Sequence, residues 1–151
     1  LFTRGKTKKI YIQKEMRDIL YIAIHCTATP QTATIDSIKR YWKDNLKWKS
    51  PGYHFIIKPD GEAVSLLPIT EVSNGVKGFN HCAINISYIG GIDKNNNPSD
   101  NRTPNQIATL LRLVKELKTK FPKAIVQGHR DFPNVKKACP SFDAKKTYMN
   151  V

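Results

Sequence analysis

The sequence predicts a single α/β domain, a central mixed β-sheet flanked by helices. Short apolar runs of strand length, ILYIAIH at 19–25 and AINISYI at 83–89, recur along the chain between turn residues. Segments with apolar residues at helical spacing lie between such runs, at 35–42 and again at 107–117. The 151 residues are 40% hydrophobic, enough to bury one core, and no repeat, low-complexity tract or linker divides them.

The elements follow in order. Ile10–Gln13 is a short apolar stretch in a basic region, so residues 1–18 read as an extension with a first strand, ahead of a domain proper at 19–151. The run at 19–25 is a buried strand that leaves His25 at its end. Thr34 is the N-cap of a helix that carries Ile35, Ile38, Tyr41 and Trp42, and Ser50-Pro51-Gly52 breaks the pattern. Tyr53–Lys58 and Glu62–Leu67 flank the turn Pro59-Asp60-Gly61 as a β-hairpin whose first strand Tyr53 opens. Ala83–Ile89 is a strand closed by Gly90-Gly91, and the stretch 93–102, with three successive asparagines, is a surface loop. Thr103, Pro104 and Gln106 make a helix start of cap, first-turn proline and capping-box partner. Ile107, Leu110, Leu111, Val114 and Leu117 then form its apolar face. That helix ends near Phe121-Pro122. Ala124–Gln127 is a further strand delivering His129, and Asp143 caps a short final helix.

Charge narrows the partners. Lys and Arg number 25 against 12 Asp and Glu, a net charge of +13, which favours an anionic polymer or surface: nucleic acid, acidic cell wall or a membrane face. The basic residues are dispersed, as on a solvated surface, and no nucleic-acid motif accompanies them, so nucleic acid rests on charge alone. No run approaches the roughly 18 apolar residues of a membrane span, and a soluble chain is expected. Three cysteines at wide spacing are unlike a disulfide framework.

Chemistry concentrates at three residues. His25 and His129 lie where strands give way to loops, and Cys139 follows Lys136 and Lys137, cations that favour a thiolate. Two imidazoles and one thiolate would make a three-ligand zinc site with its fourth position open. No CxxC or HExxH supports that reading, and two others stand beside it: structural histidines with a buried thiol, and a cysteine nucleophile with a histidine base.

Six blocks add to this. They are Ile24-His25-Cys26-Thr27-Ala28-Thr29, Gly52-Tyr53-His54-Phe55-Ile56-Ile57, Asp60-Gly61, Lys77-Gly78-Phe79-Asn80-His81, Gly90-Gly91-Ile92-Asp93, and Gly128-His129 leading to Ala138-Cys139-Pro140-Ser141-Phe142. Together, over most of the chain, they resemble the zinc N-acetylmuramoyl-L-alanine amidases of the phage-lysozyme type, which share their fold with animal peptidoglycan recognition proteins. The resemblance implies hydrolysis of the amide between N-acetylmuramic acid and L-alanine in peptidoglycan, with one zinc per chain. His25, His129 and Cys139 match the zinc ligands, and Tyr53 and Lys137 match the catalytic tyrosine and lysine. Thr27, Asn80, His81 and Ser141 fall in blocks that match the substrate cleft. A monomer that acts on peptidoglycan, and is drawn to acidic wall polymers, is the implied form, with a phage or prophage lysis enzyme preferred to host wall remodelling.

By the two-residue strand period, His54 and Cys26 face away from Tyr53 and His25, which suits packing or support rather than ligation. One departure stands out: the family commonly carries a cleft histidine three residues before the glycine that matches Gly78, and here that residue is Gly75. The alternative function is a non-catalytic peptidoglycan-binding module of the same fold. Cys139 discriminates, because recognition-only members generally lack the cysteine ligand.

Overall fold

Two parallel strands form the centre of the molecule, seen in a computed structural model that describes residues 15–151. The stretch Ile10–Gln13, read above as a first strand, lies outside the described residues. β1 (Tyr21–Cys26) and β4 (Ala83–Tyr88) pair with Tyr21 opposite Ala83 and Cys26 opposite Tyr88. Around them the sheet runs β3-β2-β4-β1-β5, with β2 at Phe55–Ile57, β3 at Ala63–Ser65 and β5 at Ile125–Gly128. All neighbours are parallel except the β2–β3 hairpin, so the sheet is mixed, as expected.

Alternation along the strands gives the sheet two different faces. Ile22, Ile24, Ile84, Ile86, Tyr88 and Val126 point to one side, where they pack on Leu110, Leu113, Val114 and Leu117 of α2 (Pro104–Lys120). The residues between them are Ala23, His25, Asn85, Ser87 and Gln127, all buried and mostly polar, on the opposite side. Both faces of β4 are covered, so its alternating polar residues, Asn85 and Ser87, are buried as fully as Ile84, Ile86 and Tyr88.

The helix starts follow their caps. Thr34 Oγ1 accepts from the Ser37 amide at 3.1 Å to open α1 (Ile35–Arg40), which continues as a wider turn through Asn45 and buries Ile38 and Trp42 against Ile56 and Ile89. At α2 the capping box is complete: Thr103 Oγ1 accepts from Gln106 N and Gln106 Oε1 from Thr103 N, each at 3.0 Å. Asp143 accepts from Lys146 N to cap α3 (Ala144–Thr147).

Two expectations need correction. The inward stripe of α2 is Gln106, Thr109, Leu110, Leu113, Val114 and Leu117, while Ile107 and Leu111 are 45% and 37% exposed. Gln106 sets this rotation, because its amide donates to the carbonyls of Ile57 and Ile89 at the ends of β2 and the β4 run, and so must face the sheet. Tyr53 does not open β2; the ladder is joined first at His54, whose amide donates to Asn85 O at 2.9 Å, and the strand starts at Phe55. Tyr53 lies just outside it, its ring edge-on to Trp42.

Ahead of β1, Arg17 is held against the body of the fold, where its guanidinium donates to the carbonyls of Ile69 at 2.8 Å, Asn80 at 3.0 Å and Ala83 at 3.2 Å.

Candidate metal centre and active site

The polar face of the sheet positions the site. β1 and β5 are parallel neighbours, so the residues at their C-terminal ends come together: His25 near the end of β1, and His129 in the turn His129–Asp131 directly after β5. Their ring centroids are 4.8 Å apart. Cys139 arrives on the loop that follows, which folds back because Arg130 N donates to Cys139 O at 2.8 Å and Tyr88 Oη donates to Pro140 O at 2.6 Å. Gly128 admits that return, since a Cβ there would stand 2.6 Å from Pro140 Cδ.

The ligand atoms of His25, His129 and Cys139 all lie within 4.8 Å of one another, and His25 Nδ1 is 3.9 Å from Cys139 Sγ. Tetrahedral zinc, with its usual bond lengths, sets a nitrogen and a sulfur ligand about 3.6 Å apart. The His25–Cys139 pair therefore fits such an ion after a contraction of a few tenths of an ångström, and the widest spacing, up to 4.8 Å, fits after closing by about an ångström.

Electrostatics prepares the imidazoles. Burial, with His129 and Lys137 nearby, lowers the His25 pKa to about 3, and burial with Lys137 lowers that of His129 to about 4. Both rings are neutral at physiological pH and carry a free lone pair. The thiol behaves differently from the expectation raised by its preceding lysines. Its hydrogen bond to Cys26 and its burial hold Cys139 well above the ordinary thiol value, and the pull of Lys137 does not offset them. A bound cation would reverse that balance, and the Cys26 amide, 3.2 Å from Sγ, already donates to the sulfur.

Around these three, Tyr53 places its ring 5.1 Å from that of His25 and donates its hydroxyl to Cys26 O at 3.3 Å. Burial and the neighbouring Cys139 hold its phenol far above the ordinary value, so it stays protonated. Lys137 is exposed and lines a cavity of about 510 Å³ with His129, Lys77, Phe79, Val135 and Lys136.

Other sequence-predicted residues are engaged in the scaffold. Thr27 Oγ1 accepts from Gly90 N, Ser141 Oγ donates to Gly91 O, and Asn80 Oδ1 accepts from Val76 N at 2.7 Å. His81 is exposed on the turn Asn80–Cys82. His54 is buried, Cys26 is a buried thiol in contact with Cys139 and with Ser141 Oγ at 3.9 Å, and Cys82 is a further buried thiol. Sequence reasoning missed Asn85, whose Oδ1 lies 2.8 Å from His25 Nε2, because an asparagine within an isoleucine-rich strand carries no signal of its own.

Comparison with known proteins follows the same lines. The endolysin of Klebsiella phage KP32 is 38% identical over 126 residues, 83% of this chain and 82% of its own. Among solved structures, the N-acetylmuramoyl-L-alanine amidase LysC from Clostridium intestinale superposes with a TM-score of 0.74 at 25% identity, covering 89% of this chain and 87% of its own. Bumblebee PGRP-SA, at 21% identity, TM-score 0.69 and coverage of 87% and 81%, shares the fold. The family model described as N-acetylmuramoyl-L-alanine amidase matches residues 15–142, and the chain belongs to that family.

Proposed function

We propose that this amidase cleaves the bond between N-acetylmuramic acid and L-alanine in peptidoglycan using one zinc ion held by His25, His129 and Cys139, within a catalytic domain at 19–151. The convergence of two neutral imidazoles and a thiol within 4.8 Å carries the reading. When bound, zinc supplies Lewis acidity at the scissile carbonyl and acidifies water.

The remaining work falls to the chain's own residues. Tyr53, kept protonated beside His25, donates a hydrogen bond to the carbonyl oxygen as negative charge gathers there, or to the departing nitrogen. Lys137, at the cavity that His129 lines, places a cation for the same charge. Lys77 and Lys136 on that wall suit carboxylates of the stem peptide, and the resemblance of their sequence blocks to the family's cleft supports Thr27, Asn80, His81 and Ser141 as further substrate contacts. The net charge of +13 draws the enzyme to acidic wall polymers.

Its endolysin relatives support a phage lysis role, with the chain acting as a monomer on the wall. Among the described residues no helix is long and apolar enough to cross a membrane. A recognition-only module would have no need of Cys139 at this distance from His25.

The test is metal content of the purified protein together with release of free amino termini from peptidoglycan, before and after chelation, with Cys139→Ala as control. Near one zinc per chain, with activity lost on chelation and in the variant, is expected. Zinc-free protein that binds the wall without cutting it would replace this reading with the recognition module.

A further inference from the structure

Three buried polar side chains to which the family assignment gives no role, His54, Ser73 and Asn85 at 0% exposure, lie behind the candidate metal centre and lead to His25, itself 1% exposed. Their hydrogen bonds run in one direction. The fixed end is a backbone carbonyl, Glu71 O, which can only accept; it lies 2.7 Å from His54 Nε2, far closer than Arg17 Nη2 at 3.4 Å, and with the Asn85 backbone N–H directed at Nδ1 this puts the His54 proton on Nε2. His54 Nδ1 is then an acceptor, and it receives the Asn85 amide at 3.0 Å and faces Ser73 Oγ at 3.3 Å. With its hydroxyl proton turned to His54, Ser73 Oγ accepts from Asn85 Nδ2 at 2.7 Å. A second oxygen reads the same amide: Asn80 Oδ1, itself identified as oxygen by the Val76 N–H it accepts, lies 3.4 Å from Asn85 Nδ2. The carboxamide oxygen of Asn85 therefore has one place to go, 2.8 Å from His25 Nε2.

We propose that Asn85 is the positioning residue for His25: the directed chain from Glu71 O through His54, Ser73 and Asn85 keeps the proton of His25 on Nε2 and turns the Nδ1 lone pair toward Cys139 and the metal. This rests on the zinc reading above. A reversed carboxamide would present N–H to Nε2, drive the proton to Nδ1 and block the ligand atom, and it would set oxygen against Asn80 Oδ1.

Gly75 belongs to the same arrangement. A Cβ at residue 75 would stand 2.3 Å from Asn85 Cγ and 2.4 Å from its Oδ1, so the Asn85 carboxamide fills the space that a side chain at 75 would need. The departure seen in the sequence at Gly75 is the vacancy that lets Asn85 reach His25.

The experiment reads the imidazole tautomer and the metal affinity separately. In metal-free protein at pH 7, nitrogen NMR of the His25 ring is expected to show Nε2–H in the wild type and a mixture of tautomers in Asn85→Ala. Chelator competition is expected to show zinc bound 10- to 100-fold more weakly by Asn85→Ala. Asn85→Asp, which keeps the acceptor, should recover most of that loss, and Ser73→Ala should weaken zinc by a smaller factor in the same direction. Should Asn85→Ala not fold, the wild-type tautomer and Ser73→Ala decide. A wild-type ring protonated on Nδ1, or zinc affinity within twofold of wild type in both Asn85→Ala and Ser73→Ala, overturns the role of Asn85. Failure of the wild type to take up zinc overturns the metal reading itself, so the two failures are distinct.

Discussion

Placing a methyl group at residue 75 is a sharp perturbation of the packing behind His25. Ordinarily Gly→Ala at a compatible backbone position stabilises a protein by about 0.4–1 kcal/mol, through the unfolded chain. Here the new Cβ would meet Asn85 Cγ at 2.3 Å, Oδ1 at 2.4 Å and Nδ2 at 2.7 Å, so the whole carboxamide must move. Overpacking costs about 1–3 kcal/mol, and loss of the bonds to His25 and Ser73 adds about 1 kcal/mol each. A net destabilisation of about 3 kcal/mol is expected for Gly75→Ala, a fall of roughly 6–12 °C in the Tm of a domain this size. Thermal and urea unfolding of the metal-free protein would measure it, with Asn85→Gly and the double variant completing a cycle. Removing Asn85 opens the space, so the double variant should be at least 1 kcal/mol more stable than the sum of the single effects requires. Additive effects, or a stabilised Gly75→Ala, would refute the packing argument.

Two further outcomes follow from the site. Tyr53→Phe removes a protonated hydrogen-bond donor without touching a ligand atom, so kcat should fall about 100-fold while zinc content is retained; steady-state kinetics with metal analysis checks this. His54 is buried neutral, with burial and the Arg17 cation lowering its pKa from 6.5 to about 4. The unfolded state binds the extra proton, so the stability linked to His54 is fully present above pH 6.5 and lost as pH falls toward 4. At pH 5 the loss is about 2 kcal/mol, and unfolding of His54→Gln across this range should lack that part of the slope.

Much of the architecture could be read before the structure because its centre is simple. Strands buried on both faces leave isoleucine-rich runs free of Lys, Arg, Asp and Glu, and the Thr103–Gln106 box and the Pro59-Asp60-Gly61 turn mark boundaries locally. The α2 face was misread at Ile107 and Leu111 because its orientation depends on Gln106, a polar residue bound to strand ends 49 and 17 positions away. For the site, strand ends pointed to His25 and His129, but their meeting depends on β1 and β5 being neighbours, which strand patterns do not reveal. Asn85 was invisible for a related reason: its partner lies 60 positions away on the adjacent strand, and its own segment reads as core.

The two-sided character of β1 and β4 separates foldability from chemistry within a single strand. Ile84, Ile86 and Tyr88 answer to α2 and the core, whereas Asn85 and Ser87, one position along in each case, answer to the reacting face. Variation confined to 85 and 87 can therefore alter the surroundings of His25 and Tyr53 while the apolar layer that packs on α2 stays intact. For directed evolution, those two positions are where small libraries reach the site directly while sparing the apolar layer, at the cost, at 85, of the bonds to His25 and Ser73.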